Sequence, residues 1–318
     1  MLQSKAIVDS AVIYDQENFD WSALGQNLPQ PERFYWQMAL IRATEQLLLR
    51  LFQDNKLFGT THTCLGQEAN AVGVINALER DRDSVWSNHR CHGHFLAYCG
   101  QATRLLAEVM GRIGGVCGGR GGSQHLSWAG FHSSGVQGGI VPLALGAAFA
   151  DRSRGAVSAV FLGDGTMGEG LVYEGLNLAS LWRLPVLFVI EDNGIAQTTA
   201  RRLAVSGSIA ERARPFGMRS FSHAGTDVLA IHDLARDAVA GIREGGGPAW
   251  LHIETVRLGP HSKGDDTRAA SELEALWAQD PLALHGPRIA TRAEIDRQVA
   301  ALVAQALEDA ERMPIACG

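Results

Sequence analysis

The chain has 318 residues, of which 46% are hydrophobic and 19% are charged, so it has the material for a folded globular protein with a large core. Its formal net charge of -6 comes without a basic block, which argues against nucleic acid as a partner. The sequence has no apolar run of about eighteen residues and no signal-peptide pattern at its start, so we expect a cytoplasmic protein without a membrane partner.

The first half of the chain is predicted to contain an arm, helices and a glycine-rich loop. Residues 1–32 show no sustained hydrophobic period and end near two prolines, so we interpret them as an N-terminal arm. Residues 34–51 carry apolar side chains at helical spacing, which predicts a long helix at the start of a domain over residues 33–318. The run 111–123 is too rich in glycine for a helix or strand, and residues 141–150 suit a tightly packed helix.

A β-α-β unit occupies the centre of the chain. The apolar runs 156–162 and 186–190 predict buried strands, and residues 169–182 between them predict a helix. Residues 228–243 and 249–256 repeat the order of helix and strand. This alternation predicts an α/β fold with a doubly wound, mostly parallel sheet flanked by helices, and such sheets bind ligands beyond the carboxyl ends of their strands.

Both strands of the β-α-β unit end in residues that suit a hard cation. Asp164 offers a carboxylate, Asn193 an amide oxygen, and the backbone carbonyl near Ile195 is a candidate third ligand for Mg²⁺. Gly163 and Gly165 allow a sharp turn that directs N–H groups towards a phosphate. A single Gly-Asp-Gly is more often only a tight turn. The prediction of a bound Mg²⁺ and diphosphate depends on the complete strand-helix-strand unit, with Asp164 after its first strand and Asn193 after its second.

Motifs in a fixed order extend this unit to most of the chain. They are His62, Gly66-Gln67-Glu68-Ala69, His89-Arg90, His92-Gly93-His94, Gly118-Gly119-Arg120-Gly121-Gly122-Ser123, Gly135-Val136-Gln137-Gly138, Gly163-Asp164-Gly165-Thr166, Glu191-Asp192-Asn193 and His261-Ser262. In this order they resemble the alpha subunit of the thiamine-diphosphate-dependent first component of 2-oxo acid dehydrogenase complexes, over roughly residues 35–270. Residues 87–94 favour the acetoin-dehydrogenase branch over the pyruvate and branched-chain branches.

The resemblance implies a role for each residue of the diphosphate site. It implies that Asp164, Asn193 and the carbonyl of Ile195 hold Mg²⁺, and that Gly165 and Thr166, beside Gly163, bind the diphosphate through their backbone. The cofactors are therefore expected to be thiamine diphosphate and Mg²⁺.

Two further pairs of residues are expected to contact the cofactor. Arg90 suits a diphosphate because a guanidinium donates two parallel hydrogen bonds to phosphate oxygens. His89 stands where the family commonly has tyrosine, and it can still donate to a phosphate oxygen. By the resemblance, Gly135 and Gln137 contact the aminopyrimidine ring.

Two histidines are candidates for catalysis. The resemblance places His62 and His261 near the reactive thiazolium carbon, where an imidazole can guide proton transfer or hold a substrate carboxylate or carbonyl. His261 is also expected to contact the cofactor. A single histidine in a protein is more often an ordinary hydrogen-bonded group, so the shared motifs carry this prediction. The loop Gly259-Pro260-His261-Ser262 departs from the usual His-Gly-His-Ser of the family.

The resemblance also implies partners. In the family, the glutamate that activates the aminopyrimidine lies on a beta subunit, so we expect an α₂β₂ heterotetramer, with a lipoyl acyltransferase as a further partner. The substrate is expected to be a 2-oxo acid or an acyloin, decarboxylated or cleaved with transfer of the acyl group to a lipoyl carrier. A thiamine-dependent carboligase or transketolase-like synthase without a lipoyl acceptor is the alternative. A scaffold subunit without turnover is a third reading, against which Asp164, Asn193 and Arg90 argue.

Overall fold

The computed structural model describes residues 24–57, 59–262 and 266–316. Its helices are α1 (Gln30–Gln53), α2 (Glu68–Ile75), α3 (His92–Cys99), α4 (Ala102–Val109), α5 (Ile140–Asp151), α6 (Gly170–Leu181), α7 (Val228–Gly241), α8 (Ala270–Trp277), α9 (Pro281–His285) and α10 (Arg292–Arg312). Its strands are β1 (Ser84–Ser87), β2 (Ser127–Trp128), β3 (Phe131–Ser133), β4 (Ser158–Gly163), β5 (Val186–Asp192), β6 (Ile195–Ala196), β7 (Thr199–Ala200), β8 (Arg219–Ala224) and β9 (Ala249–Glu254).

Seven of the strands form one sheet in the order β2-β3-β1-β4-β5-β9-β8. All neighbouring pairs are parallel except β2 and β3, and β6 pairs with β7 in a separate hairpin. The predicted α/β fold with a mostly parallel sheet is therefore confirmed. Strands β3 and β4 lie on opposite sides of β1, so the strand order reverses at β1. Such a reversal leaves a crevice at the carboxyl ends of these strands.

Alternate residues of the central strands pack on opposite faces of the sheet. Val189 of β5 belongs to the core under α1, α2, α3, α4, α7 and α10, whereas its neighbours Phe188 and Ile190 belong to the core under α5 and α6. Trp250 of β9 is fully buried in this second core. Because both faces are covered, these strands are apolar at nearly every position, as the sequence indicated.

Helix α5 departs from its prediction in one respect. Residues 141–150 are helical, but only one side of the helix is buried, and Leu143 and Phe149 point outwards. Gly175 of α6 lies so close to Val141 that any side chain there would clash, so α5 and α6 are tightly packed against each other. The outer sides of both helices carry exposed apolar residues. These residues, Leu143, Phe149, Leu171, Leu181 and Trp182, are called the α5–α6 surface below.

Most of the predicted N-terminal arm lies outside the described residues. From Leu24 the chain makes a turn and enters α1 at Gln30, slightly before the boundary expected after residue 32. The division into arm and domain therefore stays a prediction. Across the described ranges, every helix is either too short or too polar to cross a membrane.

Candidate active site

A cavity of about 400 Å³ lies at the carboxyl ends of the parallel strands. It is lined by all twelve residues that the sequence singled out, which are His62, His89, Arg90, Gly135, Gln137, Gly163, Asp164, Gly165, Thr166, Asn193, Ile195 and His261. The segments that follow β1, β3, β4, β5 and β9 each contribute to this set. The parallel sheet thus brings residues that are far apart in the chain to one place, while their individual roles stay predictions.

The ends of β4 and β5 meet at one side of the cavity. Gly163 is the last residue of β4 and pairs in register with Glu191, so Asp164 and Asn193 continue from neighbouring strand ends. The Asn193 side-chain oxygen accepts a hydrogen bond from the Ile195 N–H at 3.2 Å, which fixes the amide beside the backbone turn. A carbonyl oxygen has two lone pairs, so this bond leaves one for a cation.

The Asp164 carboxylate is well suited to a cation. Its Oδ2 atom is buried and accepts no hydrogen bond from the described residues. Burial, and then the charge of Asp192, raise the pKa of Asp164 to about 6. A buried carboxylate beside a second acid is stabilised by a positive charge, so this strand end fits a divalent metal ion.

Glycine is required where the chain leaves β4. Residues Asp164–Gly168 form a short 3₁₀ turn. A Cβ atom on Gly165 would lie 2.7 Å from the Ala196 side chain, so only glycine lets the turn approach the β6 hairpin this closely. This close approach holds the Gly165 and Thr166 backbone at the edge of the cavity.

Arg90 brings a buried positive charge to the same cavity. Its side chain donates to the Thr63 carbonyl, and its Nη2 atom lies 3.3 Å from His261 Nδ1. No carboxylate of the described residues forms an ion pair with it, and burial lowers its pKa. Because a buried guanidinium with only neutral partners is incompletely compensated, Arg90 is suited to an anionic ligand.

Three histidine rings pack against one another in the same cavity, and His62 meets each of the other two edge to face. The ring centroid of His62 is 4.7 Å from those of both His89 and His261. Burial, followed by the charges of Arg90 and the two other histidines, lowers the pKa of His89 to about 2, and Gln137 opposes this only weakly. His89 is therefore a neutral imidazole at physiological pH.

Gln124 is a site residue that the sequence did not identify. Its amide nitrogen lies 3.3 Å from His62 Nδ1, and its amide oxygen lies directly against Gly135. It immediately follows the glycine-rich run 111–123, which the sequence identified only as unsuited to a helix or strand. The polar residue next to that loop is the one signal that could have indicated it.

The loop itself is shaped by Glu108, which the sequence also did not identify. This fully buried carboxylate, at the end of α4, accepts hydrogen bonds from the N–H groups of Cys117, Gly119, Gly121 and Gly122 at 2.6 to 3.2 Å. Successive N–H groups that converge on one anion form a nest. Here the anion is supplied by the protein, so Glu108 fixes the loop that leads to Gln124.

His92 and His94 occupy structural hydrogen-bond networks outside the cavity. His92 is fully buried between Glu45 and Ser123, with ring nitrogens 3.2 Å and 2.9 Å from their side-chain oxygens. His94 lies between the Ser87 hydroxyl, at 2.8 Å, and Glu191, at 3.4 Å. Neither histidine lines the cavity.

Comparison with known proteins gives a consistent result. The family model of the dehydrogenase E1 component matches residues 36–316. The chain is 39% identical over 298 residues to the alpha subunit of acetoin:2,6-dichlorophenolindophenol oxidoreductase of Cupriavidus necator, covering 88% of this chain and 89% of that protein. It is 40% identical over 247 residues to the pyruvate dehydrogenase E1 component subunit alpha of Zymomonas mobilis, covering 76% and 70%.

A third relative is the corresponding subunit of a second bacterium. It is the alpha subunit of acetoin:2,6-dichlorophenolindophenol oxidoreductase of Bacillus subtilis, 39% identical over 237 residues, which are 73% of this chain and 71% of that protein. The resemblance inferred from the ordered motifs is thereby confirmed. The chain belongs to the dehydrogenase E1 component family, whose members depend on thiamine diphosphate.

Proposed function

We propose that this chain is the alpha subunit of a thiamine-diphosphate-dependent 2-oxo acid or acetoin dehydrogenase. In this role it binds the Mg²⁺ and diphosphate of the cofactor and helps to decarboxylate or cleave the substrate, whose acyl group passes to a lipoyl carrier. The observation that carries the proposal is the position of Asp164 and Asn193, at neighbouring strand ends of one cavity that also holds Arg90. A cytoplasmic location stays a prediction.

The diphosphate end of the cavity fits Mg²⁺ and two phosphates. Asp164, Asn193 and the Ile195 carbonyl offer oxygen ligands to the cation, and Mg²⁺ completes its shell with phosphate oxygens and water. The backbone N–H groups beyond Gly163, at Gly165 and Thr166, are the donors for the diphosphate. Arg90 and His89, which follow β1 and line the same cavity, add donors.

The aminopyrimidine is assigned to Gly135 and Gln137. The Gln137 amide nitrogen donates to the Gly135 carbonyl at 3.1 Å, which fixes both groups after β3. When bound, thiamine diphosphate supplies the carbanion chemistry, and the protein supplies position and proton transfer.

His62 and His261 are the groups proposed to act on the substrate. A guanidinium can only donate, so the contact from Arg90 makes His261 Nδ1 an acceptor, and a neutral His261 carries its proton on Nε2. The Gln124 amide nitrogen sets the same tautomer in His62. The Nε2 atoms of both rings are the groups proposed to hold a carbonyl or carboxylate oxygen of the substrate, or to give it a proton.

A beta subunit is the proposed partner, in an α₂β₂ assembly. The α5–α6 surface supports a protein partner, because Leu181 and Trp182 are 71% and 51% exposed and the Trp182 ring packs on Phe149, 5.4 Å away. Clustered exposed apolar residues of this kind mark interaction sites. A lipoyl acyltransferase is proposed as a second partner.

A carboligase or transketolase-like synthase is the alternative function. The loop Gly259-Pro260-His261 favours it, because this loop differs from the family pattern beside the cavity and is held by Arg268, which donates to the Gly259 carbonyl at 2.7 Å. The two functions differ in their acceptor. A dehydrogenase needs a lipoyl group or an artificial electron acceptor, whereas a synthase needs a second carbonyl compound.

The decisive experiment is to produce the chain together with the product of the neighbouring gene. The purified complex is assayed with 2-oxo acids and acyloins and an artificial electron acceptor, with and without thiamine diphosphate and Mg²⁺. We expect turnover that requires both cofactors and both chains. Turnover by the isolated chain would contradict the two-subunit proposal, and product formation only with an added aldehyde acceptor would favour the synthase.

A further inference from the structure

A fully buried carboxylate joins two segments that border the cavity. It belongs to Glu45 of α1, which has no exposed surface. Its Oε1 atom accepts hydrogen bonds from the Cys64 N–H and from the Cys64 thiol, both at 3.1 Å. The same atom lies 3.2 Å from Nδ1 of His92, the first residue of α3. Glu45 does not line the cavity, so any part it plays in the reaction is indirect.

His92 extends the network to the end of the glycine-rich loop. Its Nε2 atom lies 2.9 Å from the Ser123 hydroxyl oxygen and 3.2 Å from the Ser123 carbonyl oxygen. A carboxylate and a carbonyl can only accept, and only an imidazolium donates at both nitrogens, so Glu45 and His92 fit a buried ion pair. Burial would raise the pKa of Glu45, but the charge of His92 and the hydrogen bonds from His92 and Cys64 lower it below its ordinary value.

The two ends of this network adjoin the two partners of one contact in the active site. Cys64 is two residues after His62, and Ser123 directly precedes Gln124. The Gln124 amide nitrogen lies 3.3 Å from His62 Nδ1, and both residues line the cavity. One carboxylate therefore fixes, from outside the cavity, the backbone that carries each partner.

We propose that Glu45 is a positioning residue that acts through His92 to hold His62 and Gln124 in the geometry that the reaction requires. A displacement of about 1 Å at a reacting group can cost about 100-fold in rate, so such a network affects catalysis without touching the substrate. The proposed metal ligands follow β4 and β5, whereas this network joins α1, α3 and two loops, so we expect cofactor affinity to be retained. This inference rests on the proposed function.

The first measurement needs no turnover. Glu45→Gln keeps the shape of the side chain but removes its charge, so His92 loses its counter-ion and one of its two hydrogen bonds. In the complex with the beta subunit, without cofactor, we expect the backbone N–H groups of residues 61–66 and 121–126 to exchange with deuterium about tenfold faster, measured by mass spectrometry. Residues 158–168 should exchange at the original rate. Unchanged exchange in both loops overturns the inference and leaves the proposed function standing.

The second measurement is a double-mutant cycle on the cofactor-loaded complex. Glu45→Gln and Gln124→Met should each lower kcat/KM by about tenfold, and Glu45→Gln should leave the affinity for thiamine diphosphate and Mg²⁺ unchanged. Because Glu45 is proposed to act through the contact between Gln124 and His62, the double variant should be no slower than Gln124→Met alone. A merely structural role gives independent losses that multiply to about 100-fold, and this outcome overturns the inference.

The matched control is Val303→Ala, in the core on α10, which should lower the melting temperature of the complex without changing kcat/KM. If Glu45→Gln does not fold, Ser123→Ala repeats the cycle from the other end of the network, because it removes a single hydroxyl. It should lower kcat/KM by at least about threefold, and an unchanged value overturns the inference. No turnover of any 2-oxo acid or acyloin by the original cofactor-loaded complex overturns both the proposed function and the inference.

Discussion

Gly163 pairs with Glu191 as the last residue of β4 in the parallel ladder with β5. Because the two chains leave the sheet side by side, the next carboxylate and the next amide enter the same cavity. The proposed metal site therefore depends on strand register, and a shift by one residue would turn Asp164 to the other face of the sheet.

Asp164→Asn tests the metal ligand directly. The amide keeps the shape but removes the charge, so we expect Mg²⁺-dependent affinity for thiamine diphosphate to fall by about 100-fold or more, measured by calorimetry of the complex with the beta subunit. Thermal unfolding should remain cooperative, since Oδ2 accepts no hydrogen bond from the described residues. Asp237→Asn, on the exposed side of α7, is the control. Unchanged cofactor affinity in Asp164→Asn would refute the assignment.

His89 should make the protein sensitive to acid. Its pKa is lowered from 6.5 to about 2 by burial and by Arg90, so the unfolded chain gains this proton near 6.5 while the folded chain does not. The contribution of His89 to the free energy of unfolding is therefore complete above pH 6.5. It is lost as the pH falls below this value, by at most about 1.4 kcal/mol per pH unit.

The variant that removes this effect is His89→Asn. Between about pH 7 and about pH 5, the original protein should lose up to about 2 kcal/mol more of its free energy of unfolding than the variant loses. Denaturant titration at each pH measures this difference. His125→Asn, at an exposed histidine, should behave like the original protein. An equal pH dependence in all three proteins would show that His89 is not the source.

Glu108→Ala should damage the glycine-rich loop in a way that a small anion repairs. Removal of the carboxylate leaves the N–H groups of four residues without their acceptor, which we expect to cost about 3 kcal/mol. Formate or acetate should raise the melting temperature of the variant, because either anion fits the nest of N–H groups.

The controls separate a specific anion effect from ionic strength. Chloride at equal ionic strength should give a smaller increase, and the exposed Glu294→Ala should show neither the loss nor the recovery. A Glu108→Ala protein as stable as the original would mean that the loop keeps its shape without Glu108.

Leu181→Glu tests the α5–α6 surface as the site of the beta subunit. Leu181 is exposed, so the variant should unfold within about 0.5 kcal/mol of the original chain. A charge in an apolar interface opposes assembly, so we expect at least about tenfold less beta subunit to co-purify. Leu284→Glu, at an exposed leucine of α9, is the control. Normal assembly of Leu181→Glu would exclude this surface from the interface.

The sequence predicted the parts of the fold that are periodic and apolar. Helix α1 and strands β4 and β5 were identified because their core-facing residues repeat at a fixed spacing. Strand β8 was not identified, since it is a polar edge strand in which most residues are exposed or half-buried. Such a strand has neither the apolar run nor the clear alternation from which a strand is predicted.

The part of the site that lies at the strand ends was predictable from the sequence. Asp164 and Asn193 follow strands, and parallel topology alone brings them together. Glu108 was not predictable, because its partners are N–H groups of residues up to Gly122, and backbone groups carry no signal in the sequence. The exposure of one side of α5 was not predictable either. The sequence of an apolar residue such as Leu143 does not indicate whether its own chain or another one covers it.

The α5–α6 surface has a consequence for how a cell must make this protein. If the beta subunit covers Leu181 and Trp182 as proposed, every copy produced in excess of its partner exposes these apolar side chains to the solvent. Unmatched copies would be drawn into aggregates or held by chaperones. Balanced synthesis of the two chains is therefore part of the requirement for a working enzyme.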